Sequence, residues 1–386
     1  MPLHFIRKKV VGLVRIGILG IGIMGSDHAR WIAGGEIPGA ELTAVADPDP
    51  SRLRWAAEHL GDGVQRFESA EALLTSGLCD GVIVATPHFL HPVLSRSALE
   101  HGLNVLCEKP VAVYTKAARG LEELARSKGL IFGLMYNQRT SPLYQKVRDL
   151  VVSGELGPIK RTSWTVTHWY RPQSYYDLGA WRATWSGEGG GVLMNQSPHQ
   201  LDLWQWTVDM MPTRVRAFMS FGKYHQIEVE DDVMAYVEYP NGATGTFITT
   251  TGEAPGTNRL EIAGDRGKIV VEDGSLKFWR LVTSEREFNR TYHGGHGAPE
   301  AWRVEIPIRG KEAGHRGITQ NWVQAIASGA DLIAPGGDGL RGLSLSNAMH
   351  LSAWTDSWVD LPFDEDHFET LLRERMAKSS GPSWGV

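Results

Sequence analysis

Val14-Arg15-Ile16-Gly17-Ile18-Leu19-Gly20-Ile21-Gly22-Ile23-Met24-Gly25 is the stretch on which the fold turns. Its first six residues are apolar enough for a buried strand. Glycines follow at once in the spacing G-x-G-x-x-G, and residues 26–33 continue as a helix. In that context the first glycine makes the turn, the second lets backbone approach a pyrophosphate, and the third packs helix against strand. The helix start meets phosphates with its positive end. Gly20, Gly22, Ile23, Met24 and Gly25 are therefore candidate dinucleotide-binding residues.

Residues 41–46 form a second strand that ends at Asp47. An acid about 20 residues beyond the glycines is placed to read the ribose hydroxyls, which favours NAD over NADP. Arg52 keeps NADP open as the alternative. Helix and strand then alternate: a helix at 51–60, a strand at 65–67, a helix at 70–75, a strand at 81–85, a helix at 92–101, a strand at 104–107, one helix over 115–127 and a strand at 131–135. This is the rhythm of a doubly wound parallel sheet, whose ligands collect beyond the carboxyl ends of the strands. Asp47, Thr86, Pro87, His88, His91, Glu108, Lys109, Tyr136 and Asn137 all fall at or just beyond that edge.

Length, charge and cysteines bound the rest. A chain of 386 residues is long enough for two domains. A net charge of -5 gives no basic excess to attract nucleic acid. Cys79 and Cys107 offer neither a disulfide framework nor metal-ligand spacing, so no metal is expected and a reducing, cytoplasmic setting is. Arg7-Lys8-Lys9 and the apolar run after it look signal-like, but Arg15 and several glycines interrupt the run, and a strand with a glycine turn explains it better. No stretch is long and apolar enough to span a membrane.

After Met135 the rhythm breaks. A helix from Ser141-Pro142 to about Ser153 leads into long strands at 159–169, 214–222, 232–239, 243–251, 258–264 and 268–272. Their hairpin spacing predicts one large, mainly antiparallel open sheet. Helices are expected at about 318–328 and 339–358, and a loose end from Lys378. Between Trp164 and Trp185 the chain gathers His168, Trp169, Tyr170, Arg171, Tyr175, Tyr176, Trp181 and Arg182. Aromatic faces cover sugar rings, while Arg, His and Tyr bind hydroxyls or anions. The same composition also suits a subunit interface. Farther on, Gly189-Gly190-Gly191-Val192-Leu193-Met194-Asn195-Gln196-Ser197-Pro198-His199-Gln200-Leu201-Asp202 is a glycine loop entering a helix. Ser197 is the expected cap and Pro198 the first helical residue. His199 and Asp202 share a face. Either His199 is an acid/base group or the helix is an amphipathic one whose histidine packs.

The glycine motif, Thr86-Pro87-His88-x-x-His91, Glu108-Lys109-Pro110 and the 189–202 block together resemble the glucose–fructose oxidoreductase/inositol dehydrogenase/MocA (Gfo/Idh/MocA) family over about residues 14–360. The resemblance implies an NAD-binding Rossmann domain at 1–136. It implies a substrate-binding and oligomerisation domain at 137–386, with the open sheet joining a homodimer or homotetramer. It also implies a hydride-transfer site built from the lysine of Glu108-Lys109-Pro110 and an Asp-x-x-x-His pair. Here that pair reads Asn195 and His199: an amide stands where a carboxylate is expected. Lys109, Asn195 and His199 are the catalytic candidates. Lys109, Tyr136, His168, Tyr170, Arg171, Trp181, Arg182, Asn195 and His199 are the substrate-binding candidates.

The expected chemistry is hydride transfer between nicotinamide and a ring secondary hydroxyl of a sugar, glycoside or cyclitol. His199 moves the hydroxyl proton, and Lys109 donates a hydrogen bond to the reacting oxygen. Two alternatives stay open: a glycosidase that recycles bound NAD through oxidation, elimination, hydration and reduction, and a non-catalytic NAD/sugar-binding regulator. The cations Arg171, Arg182 and His168 raise an anionic sugar as substrate.

Overall fold

The computed structural model describes residues 12–384, so the Arg7-Lys8-Lys9 cluster lies outside the described residues. Six strands, β1 Val14–Leu19, β2 Ala40–Ala46, β3 Gln65–Phe67, β4 Gly81–Val84, β5 Asn104–Cys107 and β6 Phe132–Leu134, make a sheet in the order β3-β2-β1-β4-β5-β6. Every pairing in it is parallel. β4 is buried along its whole length and β1 nearly so, as strands covered by helices on both faces must be. The order reverses between β1 and β4, and the glycine turn follows β1 at that point, where such sheets bind ligands.

Nine strands form the second sheet: β7 Ile159–Val166, β8 Arg214–Phe221, β9 Glu230–Glu238, β10 Thr244–Thr250, β11 Asn258–Gly264, β12 Gly267–Glu272, β13 Ser275–Leu281, β14 Ala301–Val304 and β15 Val359–Asp360. They run in the order β14-β13-β12-β11-β7-β10-β9-β8-β15. β7 and β10 are parallel and the other pairs antiparallel. Burial alternates along β7 and β9, the mark of a sheet with one covered face. Trp204, from the helix Pro198–Val208, covers that face. Its ring lies 5.4 Å from Phe247, and its Nε1 donates to Thr162 Oγ1 at 3.0 Å. Trp164 packs on Phe247 from β7. Truncating rings this deeply buried costs about 3–5 kcal/mol each.

Several local expectations change. The helix over 115–127 is two, Thr115–Ala118 and Leu121–Ser127, because Gly120 is left-handed at φ 77°. The chain from Lys378 is not loose throughout: the Ser379 and Ser380 hydroxyls donate to Glu228. The chain divides into two compact units, and the division is not one cut at residue 136. The first unit runs to Thr140 and also takes Ala313–Leu343. That later segment joins because its helix Gly314–Ser328 lays Trp322 on Gly81 and Gly133, where any Cβ would meet the indole within 3.3 Å. Among the described residues no helix is long and apolar enough to cross a membrane.

Candidate functional site

In the first unit the glycine turn is set by backbone clearances. Gly20 is left-handed at φ 90°, and a Cβ there would lie 2.7 Å from the Ala85 carbonyl oxygen. At Gly25 a Cβ would lie 1.9 Å from the Gly20 oxygen. At Gly22 nothing lies within 4 Å, so backbone is open to close approach. The helix Ile23–Ala33, which carries Met24 in its first turn, has no side-chain cap, and its first N–H groups can serve an anion. Asp47 Oδ2 accepts from Ile21 N at 2.7 Å and Oδ1 from Asp49 N at 2.9 Å. The carboxylate thus ties the end of β2 to the glycine turn. Arg52 is exposed on the helix Pro50–His59.

Along the same edge, Thr86 Oγ1 and Asn137 Oδ1 are buried with no hydrogen-bond partner among the described residues. Such atoms cost about 1–3 kcal/mol each unless something pairs them. An open glycine turn, an uncapped helix start, an acid at the end of β2 and two orphaned polar atoms fit a dinucleotide. Pro87 turns the chain here, its oxygen accepting from Leu90 N at 2.9 Å, and the buried His88 ring lies 5.8 Å from that of His91. His91 braces two loops: its Nδ1 and Nε2 lie 2.6 and 2.7 Å from the Pro110 and Thr86 oxygens. Tyr136 is buried, with the Arg139 guanidinium 5.4 Å from its ring centroid.

Behind Lys109 lies a cluster that escapes sequence reasoning. Glu108 Oε1 is 2.9 Å from His28 Nε2, and Glu108 Oε2 accepts the Lys109 N–H at 3.2 Å. Burial pushes the Glu108 carboxyl up, but His28, His315 and Lys109 outweigh it and hold the pKa at about 2. The His28 and His315 rings are 6.1 Å apart. Burial, together with His28 and Lys109, holds His315 below the ordinary histidine value despite Glu108 nearby. The one signal in the sequence for His28 is its position three residues past Gly25, in the second turn of the helix.

In the second unit the 189–202 block is buried and wrapped around Glu230. That carboxylate accepts from Gly191 N at 2.9 Å and Leu193 N at 3.0 Å, and it lies 3.0 Å from His350 Nε2. Gly191 has no alternative, since a Cβ there would lie 2.0 Å from the Glu230 backbone oxygen. Ser197 does not cap the helix: its Oγ pairs with Thr249 Oγ1 at 2.9 Å. Nor is the helix amphipathic; it is buried on nearly every side. His199 is buried in its first turn, and Asp202, also buried, accepts from the Gln205 amide at 3.1 Å.

Asn195 opens onto the aromatic stretch. Its Nδ2 donates to Glu188 Oε1 and lies 3.3 Å from the Tyr175 hydroxyl, which accepts from Arg182 Nη1 at 2.9 Å. Arg182 stacks over Tyr175 and Trp181 at 4.7 and 4.6 Å, and Arg171 over Tyr175 and Trp169 at 5.1 and 5.7 Å. Structure therefore gathers Asn195, Arg171, Arg182 and Trp181 around Tyr175. Tyr176 is buried with its ring 5.2 Å from that of Tyr175, edge to face. Trp164 and Trp185 are buried, while His168 and Tyr170 are exposed.

Comparison with known proteins agrees with both units. Residues 14–136 match the oxidoreductase family with an NAD-binding Rossmann fold, and 144–270 match the GFO/IDH/MocA C-terminal domain. The chain belongs to the GFO/IDH/MocA family of NAD-dependent oxidoreductases acting on CH-OH groups. It is similar to levoglucosan dehydrogenase of Pseudarthrobacter phenanthrenivorans, 25% identical across 90% of this chain and 98% of that one. It is also similar to scyllo-inositol 2-dehydrogenase (NAD(+)) of Bacillus subtilis, 27% identical across 68% of this chain and 75% of the other. Among solved structures, the WlbA dehydrogenase of Bordetella pertussis, in complex with NADH and UDP-GlcNAcA, superposes with a TM-score of 0.76. It is 26% identical and covers 91% of this chain and all of its own.

Proposed function

We propose that this chain oxidises or reduces a ring secondary hydroxyl of a sugar, glycoside or cyclitol, with NAD in preference to NADP. The observation that carries the reading is the carboxyl edge of the parallel sheet. The open Gly22, the Asp47 carboxylate, Glu108-Lys109, and the Thr86 and Asn137 atoms that have no partner among the described residues follow the carboxyl ends of its strands. The nicotinamide supplies the hydride acceptor when bound. Asp47 favours ribose hydroxyls and repels a 2′-phosphate. Lys109 donates a hydrogen bond to the reacting oxygen as alkoxide charge develops. His199 takes the hydroxyl proton, and Asn195 orients the substrate.

An acidic group on the substrate is part of the proposal. Arg171 and Arg182 line the Tyr175 cluster, and neither forms an ion pair among the described residues; their side chains donate to the Tyr170 carbonyl and the Tyr175 hydroxyl. Arg182→Met should raise KM for an acidic substrate about tenfold, some 1.4 kcal/mol, and leave KM for NAD unchanged. Steady-state kinetics with both substrates varied decide this; an unchanged sugar KM rejects the acidic group.

A homo-oligomer through the second sheet is proposed as well. Phe218 and Met234 are cross-strand partners, and both are more than half exposed on its open face, with Tyr236 beside them. Light scattering of Phe218→Asp should show a smaller particle than the parent; equal masses count against this face.

Incubating the purified protein with NAD or NADP and a panel of cyclitols, sugars, uronic acids and aryl glycosides tests the function. Accumulation of NADH with a ring alcohol is expected. Aglycone release without net NADH would replace the dehydrogenase with the NAD-recycling glycosidase. No turnover with any member would favour the regulator.

A further inference from the structure

Asn195 is neutral, but a buried carboxylate stands directly behind it. Glu188, seven residues upstream, is 2% exposed. Its Oε1 accepts from Asn195 Nδ2, and its Oε2 accepts from Ala183 N at 2.6 Å. The Glu188 N–H donates to the Thr184 oxygen at 2.9 Å, which closes the short loop that carries it. An ionised carboxylate only accepts, so the amide must turn Nδ2 toward it and Oδ1 away. The Tyr175 hydroxyl is 3.3 Å from the same nitrogen. Arg182 donates to that hydroxyl, so the chain runs from a guanidinium through two neutral groups to a carboxylate.

We propose that Glu188 is a positioning residue for the reaction: its carboxylate fixes the Asn195 amide so that Oδ1, the acceptor, faces the substrate hydroxyl one helix-entry turn before His199. This rests on the reading of Asn195 and His199 as reaction-site residues. The negative charge is thereby kept one residue back from the reacting atoms, while the contact itself is a neutral acceptor. Glu188 moves no proton and touches no substrate. A lone acid inside the buried run Gly187-Glu188-Gly189 is its only trace in the sequence.

A swap tests the pairing. In Asn195→Asp two carboxylates stand at hydrogen-bond distance, so one must hold a proton. The pair's pKa is then raised in the folded state. The resulting penalty is absent at low pH and grows as pH rises above the ordinary carboxylate range, about 4. Asn195→Asp should therefore melt well below the parent at about pH 8 and converge with it toward about pH 5, a readout that needs no substrate. Adding Glu188→Gln restores an amide–carboxylate pair and should remove that pH dependence.

Kinetics with the alcohol found in the panel complete the cycle. Glu188→Gln and Asn195→Asp should each lose about tenfold in kcat at neutral pH with KM for NAD unchanged, and the double variant should recover at least half of that loss on a logarithmic scale. A double variant no better than Asn195→Asp, or an Asn195→Asp protein with the parent's pH profiles of melting and turnover, overturns the proposal. His199→Ala run beside them separates the two levels. If it retains turnover, the reaction-site reading fails; if it is inactive while the cycle shows no coupling, only the role of Glu188 fails.

Discussion

The two units hold their candidate residues by opposite means. In the first, shape is a backbone matter: Gly20, Gly22 and Gly25 set clearances, one carboxylate pins the turn, and polar atoms at the edge have no partner among the described residues. In the second, a glycine loop is tied by side chains into a buried network around Glu230 and Glu188. The first arrangement suits a ligand that brings its own phosphates and hydrogen-bonding groups. The second suits a reacting hydroxyl, where acceptor and base must be held rigidly before substrate arrives.

The strongest way to break this contrast is to put a Cβ on each loop. Gly25→Ala and Gly191→Ala should each cost about 3 kcal/mol, because backbone atoms block the new group and cannot swing aside. Urea melts measure that. NADH fluorescence titration then separates them: Gly25→Ala loses binding, whereas Gly191→Ala, under conditions where it stays folded, binds nearly as the parent does. Equal loss of NADH binding in both would erase the distinction.

Next in size are the reacting groups. Lys109→Ala and His199→Ala should each lower kcat roughly a hundredfold, in line with general acid–base and electrostatic catalysis. Near-parental rates in either variant would remove that residue from the chemistry. A smaller effect is expected at Asp47. Asp47→Asn can still accept from the Ile21 N–H but loses the charge, so preference for NAD over NADP should fall about tenfold. Competition assays with the two cofactors check this, and an unchanged ratio would move selectivity to another residue.

The mildest probe is pH. Glu108 is held below its ordinary value, to about 2, so its contribution to stability is complete above pH 4.5 and is lost as pH falls toward 2. Glu108→Gln should destabilise the protein at neutral pH and flatten that acid limb in thermal melts. A variant with the parent's acid limb would show that His28 and Glu108 are not coupled as an ion pair.

How much was legible in the sequence follows the same contrast. β3, β5 and β11 fall at the residues expected, because a buried strand bounded by turn residues is a local signal. So is the glycine turn. β13 and β14 at the sheet edge carry too little burial to stand out in the sequence. The site residues divide likewise. Lys109 and His199 stand out by motif as candidates, but His28 meets Glu108 across 80 positions and Gly191 meets Glu230 across 39. Long-range partners of that kind leave no periodicity to read. Glu188 is the sharper lesson. Asn195 read alone marks a lost carboxylate, whereas its hydrogen bond shows the carboxylate of Glu188 directly behind it, seven residues upstream.

Hydride transfer from a ring carbon carries the label of that carbon into the nicotinamide. The alcohol that turns over is supplied with deuterium on its carbinol carbon, and the reduced cofactor is examined by mass spectrometry. Singly deuterated NADH is expected, formed at least about a hundredfold more slowly by His199→Ala. Unlabelled NADH, or consumption of a glycoside with no net reduced cofactor, would contradict it.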